Sequence, residues 1–151
     1  MDHGRDEAEL RRDAEKLVDI LTTLQRCFLM NLSRELSRGK VSFPQYFLLG
    51  FLAQQKFLNM SEIAQKMGHT TAAATGLVDR LENLGYARRA HDSADRRKIM
   101  VEITESGLAL VARIREDMVD GVVKMMGHLC VDEQKAWLQI YEKIKNVCKK
   151  K

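Results

Sequence analysis

Residues 87–104 read ARRAHDSADRRKIMVEIT. Two arginines precede a small polar loop, and Arg96, Arg97 and Lys98 follow it, leaving a local excess of +3 over Asp92 and Asp95. Guanidinium groups beside a turn offer forked donors to phosphates and to the acceptor edges of bases. Asp95, two residues before Arg97, can hold an arginine in one rotamer and reduce the entropy lost on binding. The same text also reads as a solvated surface hairpin. Its neighbours decide between the two.

Just upstream lies TTAAATGLVDRLENLG, Thr70 to Gly85. On a helical wheel Ala73, Leu77, Leu81 and Leu84 share one face and are expected to pack inward. The opposite face carries Thr71, Ala72, Thr75, Gly76 and Asp79, so its leading half is small and weakly polar. A helix entering the major groove needs such an end, with hydroxyls for base edges or phosphates and methyls for thymine. Backbone N–H groups at its start, near Thr70, add an attraction for phosphate. Gly76 costs about 1 kcal/mol relative to alanine inside a helix. Close approach to DNA explains it, and so does a neutral or packing glycine. An arginine at the following hairpin tip can enter a narrow, A·T-rich minor groove, where the negative potential is enhanced.

The elements that must position these groups are mostly helical. Apolar residues from Leu10 through Leu17, Leu24 and Leu32 to Leu36 recur at spacings of three and four, predicting a helix over about 8–37 that Gly39 ends. Ser42, Pro44 and Gln45 mark a capping-box start for a second helix, about 44–54, with Phe47, Leu48, Phe51 and Leu52 in the core. Ser61 is read as the cap of a short third helix, SEIAQKM, stopped by Gly68. Two strands flank the basic loop, with Ile99, Val101 and Ile103 alternating to one face. Thr104 caps a long helix, about 105–128, striped by Leu108, Val111, Ile114, Met118 and Val122. Asp132 opens the last, about 133–148, carrying Trp137, Ile140, Tyr141, Ile144 and Val147. A helix–turn–helix followed directly by a two-stranded hairpin is the order of a winged helix. The terminal helices have more apolar surface than the middle can cover, which predicts an obligate dimer built from both ends of the chain.

Composition sets the outer bounds. The chain has 151 residues, 45 % hydrophobic and 30 % charged, with a net charge of +4 and pI near 9.0. That balance is compatible with a polyanionic partner. No apolar run reaches the ~18 residues needed to span a bilayer, and the charged N-terminus lacks a signal-peptide core. A cytoplasmic protein, nucleoid-associated when bound to DNA, is the expectation. Cys27, Cys130 and Cys148 are distant and odd in number, and are read as buried, reduced thiols. Lys149, Lys150 and Lys151 read as a frayed tail. The four histidines form no metal-ligand spacing, and no cofactor or metal is expected. With no glycine-rich phosphate loop, nucleophile elbow or close carboxylate pair, an enzyme is not expected either.

The text from Ser61 to Gly107 resembles the MarR family of bacterial transcriptional regulators. The resemblance lies in Asp79-Arg80-Leu81 with Gly85 after it, Asp95-Arg96-Arg97, and Ile103-Thr104-Glu105-Ser106-Gly107. It implies a mainly α winged helix–turn–helix with a two-stranded β-wing: a single domain over 1–151, dimerisation helices over 8–38 and 105–148, and a DNA-binding lobe over 42–103. The implied function is a homodimeric repressor or activator, a repressor being the expectation, on a pseudo-palindromic double-stranded operator. By position, Arg97 becomes the minor-groove arginine, Asp95 its orienting partner and Arg96 a further wing contact. Thr70, Thr71, Ala72, Thr75 and Gly76 become the recognition-helix contacts. Alanines and Gly76 stand where many members have serine, lysine or arginine, so base readout is expected to lean on the wing and on DNA shape.

The resemblance also implies a small aromatic ligand, for which Phe28, Phe43, Tyr46 and Phe47 are candidate lining residues; each equally fits a core position. A redox-sensing branch uses a first-helix cysteine, and Cys27 occupies a similar neighbourhood, though Asn31 stands near the place of the usual partner tyrosine. Regulation through Cys27, or a winged-helix protein-interaction module without DNA binding, are the alternative functions.

Overall fold

The computed structural model describes residues 6–92, 95 and 97–148. Its elements run α1 (Glu7–Gly39), α2 (Phe43–Gln54), β1 (Leu58–Asn59), α3 (Met60–Met67), α4 (Thr71–Asn83), β2 (Ala87–His91), β3 (Ile99–Ile103), α5 (Glu105–Met126) and α6 (Val131–Cys148). The chain falls into two compact units, 1–115 and 116–151.

The core belongs to the first unit. Leu48, Leu49 and Leu52 of α2, Ile63 of α3, Val78 and Leu81 of α4, Val101 of β3 and Ile114 of α5 are all fully buried. Burying each such side chain stabilises the fold by about 1.5–3 kcal/mol. Apolar residues wrap most of α2, which makes it the central helix. Its start is the one the sequence signals: the Gln45 side chain, itself buried, accepts the Ser42 N–H at 2.7 Å. Phe47 departs from expectation, standing 55 % exposed on the side of α2 that faces away from the core.

Several expected boundaries shift for physical reasons. Gly39 is the last helical residue of α1, and Lys40 takes the left-handed position beyond it at φ 56°. The glycine serves packing instead: a Cβ there would lie 2.8 Å from Leu110 Cδ1 of α5. Asn59, not Ser61, caps α3, accepting the Glu62 N–H at 2.9 Å while Glu62 accepts the Asn59 N–H at 2.8 Å. Asn59 also ends β1, which pairs antiparallel with β3 and makes a three-stranded sheet in the order β1-β3-β2. A two-residue strand carries no periodicity, so sequence reading shows only the hairpin. On β3, Val101 is buried but Ile99 is 46 % exposed, beyond the reach of the core. On α5 the buried positions are Gly107, Leu110 and Ile114, with Leu108 exposed.

In the second unit α6 begins at Val131, one residue before the expected Asp132, with the Cys130 N–H donated to Glu133 at 2.8 Å. Trp137 and Tyr141 pack edge to face, yet no residue of α6 is buried. The first helix shows the same pattern on a larger scale. It spans 33 residues, about 50 Å at 1.5 Å per residue, and buries only Glu35, Leu36 and Gly39 near its end. Leu10, Leu17, Ile20, Leu21 and Leu29 are exposed along it. All three cysteines are exposed as well, contrary to the buried thiols expected. Lys149–Lys151 fall outside the described residues. Among those described, no helix is long and apolar enough to cross a membrane.

Candidate nucleic-acid interface

The candidate surface begins at the cap of α4. Thr70 accepts the Ala73 N–H at 3.2 Å, and no acidic residue stands in the first turn. Gly68, at φ 63°, stops α3 two residues earlier and frees the chain to turn. The inward face of α4 is Ala74, Val78 and Leu81, with Leu77 and Leu84 at its edge. Ala73, expected inside, is exposed, because the helix turns its small Ala74 and Val78 onto the core. The outward face therefore comprises Thr71, Ala72, Ala73, Gly76, Asp79 and Arg80, with Thr75 half-buried beside them. Thr75 donates its hydroxyl proton to the Thr71 carbonyl at 2.8 Å, which leaves the hydroxyl oxygen able to accept.

Gly76 has open space where a side chain would be: apart from its own helix backbone and chain neighbours, none of the described residues comes within 4 Å of where a Cβ would stand. The packing explanation is thereby removed. Gly76→Ala should raise stability by about 1 kcal/mol, the ordinary helix-interior difference, seen as a higher melting temperature. If the glycine serves close approach, the same variant binds DNA more weakly; unchanged affinity would leave it as a neutral residue.

Beside this face Lys40, Gly76, Asp79, Arg80, Asn83 and Leu84 line an open hollow of about 590 Å³. Lys40 and Arg80 add two cations that sequence reasoning did not place in the interface. Lys40 comes from the α1–α2 connection, and only its left-handed turn brings it against α4. No local motif signals that.

The wing is the β2–β3 hairpin, with Ala87 opposite Ile103, Arg88 opposite Glu102 and His91 opposite Ile99. Its root is tightly fastened. The Thr104 hydroxyl donates to the Gly85 carbonyl at 2.6 Å and accepts the Gly107 N–H at 3.1 Å, and the Thr104 N–H reaches the Tyr86 carbonyl at 3.0 Å. At the tip Asp92 accepts the Asp95 N–H at 3.0 Å, and Asp95 accepts the Arg97 N–H at 3.1 Å. The aspartate thus fixes the backbone of Arg97, where an orienting bond to its side chain was expected. Arg97 and Lys98 are exposed, and neither side chain has an ion-pair partner among the described residues. Arg96 lies outside those residues.

Arg88 and Arg89, read from sequence as solvated or phosphate-binding, are engaged within the chain. Arg88 bonds Glu102 across the hairpin. Arg89 extends to α4, bonding Asp79 at 2.7 Å and also Glu82, whose other oxygen accepts the Arg89 N–H at 2.7 Å. Partial burial pulls the Arg89 guanidinium down, and the two carboxylates more than offset it, holding it above its ordinary value. Two of the wing's cations are thereby neutralised, and its free charge sits at the tip.

A second concavity, about 800 Å³, runs along α1 to the start of α2, lined among others by Gln25, Arg26, Met30, Ser33, Arg34 and Phe43. Of the four aromatic candidates only Phe43 lines it; Phe28 and Tyr46 are half-buried elsewhere and Phe47 is exposed. Cys27, one residue from Arg26, is not among its lining residues.

An exposed small-residue helix behind a tight turn, followed by a basic-tipped hairpin that a third short strand joins from before it, defines a winged helix–turn–helix. A sequence model of the MarR family matches residues 40–98. The regulator HosA of Escherichia coli is 30 % identical over 105 residues, 68 % of this chain and 76 % of HosA. The chain belongs to the MarR family. The HTH-type transcriptional regulator YfiV of Bacillus subtilis is 42 % identical over 66 residues, 44 % of this chain. The chain spans only about half, or less, of some curated relatives, 41 % in the case of YfiV. A solved complex of S. aureus MepR with DNA superposes at a TM-score of 0.74 and 20 % identity, covering 87 % of this chain and 98 % of MepR. HosA and YfiV are named as transcriptional regulators, not enzymes.

Proposed function

We propose that the protein is a homodimeric, sequence-preferring DNA-binding repressor whose α4 enters the major groove while Arg97 reaches the minor groove. The observation that carries the reading is one of contrast within the wing. Arg88 and Arg89 are held by carboxylates, whereas Arg97 and Lys98 project with no ion-pair partner among the described residues beyond a backbone fixed by Asp95. The exposed, weakly polar leading half of α4 agrees with it, and so does the DNA bound by MepR. The uncovered apolar stripe of α1 supports pairing with a second copy, which would present two recognition helices to a pseudo-palindrome. The concavity beside Arg26, Arg34 and Phe43 suits a small aromatic acid as modulator. This reading places the protein in the cytoplasm, with the chromosome.

The test is a gel shift on DNA from upstream of the gene and on duplexes enriched from a random library. Arg80, Arg97 and Lys98 of both copies amount to about six phosphate-neutralising cations, so affinity should fall roughly a thousandfold between about 50 and 200 mM salt. Equal affinity for all duplexes, or salt-insensitive binding, overturns the proposal. Adding aromatic carboxylates to the same assay tests the modulator arm, where release of the duplex is expected.

A further inference from the structure

We propose that Arg89 is a positioning residue for DNA recognition, locking the wing to α4 so that the two groove-reading elements meet the duplex in one fixed relation. The proposal rests on the DNA-binding reading above. Asp79 and Glu82 lie one helical turn apart, just beyond the outward-facing Thr75 and Gly76. Arg89 bonds both of them from the middle of β2, so its planar fork spans that turn. Because β2 is an edge strand in the order β1-β3-β2, the Arg89 N–H has no strand to bond on its outer side. Glu82 takes that amide as well, making the joint one of backbone and side chain together.

Arg89 and Glu82 are half-buried and Asp79 is exposed, so water still reaches these pairs and their contribution to stability is modest. Their effect here is orientational: a forked guanidinium on two carboxylates of one helix limits both rotation of the wing and slippage along α4. The register residue after Arg89 leads along the strand toward the tip, where Arg97 stands. An error in wing angle at Arg89 is therefore magnified at the tip.

Electrostatics and positioning predict opposite results for Glu82→Ala. The substitution removes a negative charge, and charge alone makes every duplex bind more tightly. Positioning predicts instead that affinity for a duplex enriched from a random library by the wild-type protein falls on the order of tenfold. Affinity for a scrambled duplex of the same composition should hold or rise. Arg97→Ala should cost less in the Glu82→Ala background than in wild type, since a misaligned wing has less to lose. Arg89→Lys, which keeps the charge but not the fork, should also lower the ratio of enriched to scrambled affinity. Thermal melts of Glu82→Ala and Arg89→Lys should stay close to wild type, separating positioning from folding. A Glu82→Ala protein that keeps the wild-type ratio, or an Arg97→Ala effect that is fully additive, overturns the role of Arg89 alone. A wild-type protein that prefers no enriched duplex overturns the DNA-binding reading and this role with it.

Discussion

Alanine at position 97 should weaken binding to an enriched duplex by roughly 5- to 150-fold, the 1–3 kcal/mol range of a specific arginine contact, with fold and dimer state unchanged. The fold should be indifferent because Arg97 is exposed and its side chain has no partner to abandon among the described residues. What the variant loses is a guanidinium delivered by a backbone already fixed through Asp95. A narrow, A·T-rich minor groove rewards that cation most, so the loss should be largest on duplexes with such tracts where the tips fall. Binding and circular dichroism measured on the same preparation check both halves. Full retained affinity would reject the role assigned to Arg97.

The largest effect on stability should come from Gly107→Ala. A Cβ there would overlap the Tyr86 carbonyl oxygen and lie 2.7 Å from Ile103 Cγ1 and 3.1 Å from the Tyr86 carbonyl carbon. Backbone cannot swing aside as a side chain does. The Tyr86 carbonyl is further held by the Thr104 N–H, and Thr104 ties Gly85 to Gly107 itself. The methyl must therefore push the first turn of α5 away from the root of the wing. Overpacking of this severity costs about 3 kcal/mol, which for a chain of this length lowers the melting temperature by roughly 6–12 °C. A melt superimposable on wild type would show that the junction yields more readily than its bonds imply. Gly76→Ala provides the internal contrast, a glycine with open space around it and the opposite expected sign.

Features that depend on near neighbours in the chain were legible in the amino-acid text. The Ser42–Gln45 cap, the Thr70 cap, the stop at Gly68 and the Thr104 start all lie within a few residues of the groups they serve. The wing was legible for the same reason, since alternation on β3 and a polar loop are both local. What escaped depends on distant partners. Arg89 reaches back to Asp79 and Glu82 across a turn and a change of element, and nothing in ARRAH distinguishes it from a solvated arginine. Gly39 looks like a helix stop until Leu110, far along the chain, is seen against it. The inward face of α4 lies a small rotation from the one its bulky residues suggest, with Ala74 and Val78 on the core and Leu77 and Leu84 at its edge. Of the interface, the wing-tip cations and the small face of α4 could be named in advance; Lys40 and Arg80 could not.

The uncovered stripe of α1 bears on how such a protein changes over time. Under two-fold pairing each residue of that stripe meets the partner's copy of the same surface, so every substitution enters the interface twice. A favourable exchange is doubled, and so is a harmful one. A new charge meets its own image or that image's near neighbours, so repulsion between identical charges falls on self-pairing. After gene duplication, a single new charge on one copy therefore weakens that copy's pairing with itself more than its pairing with the unaltered sister.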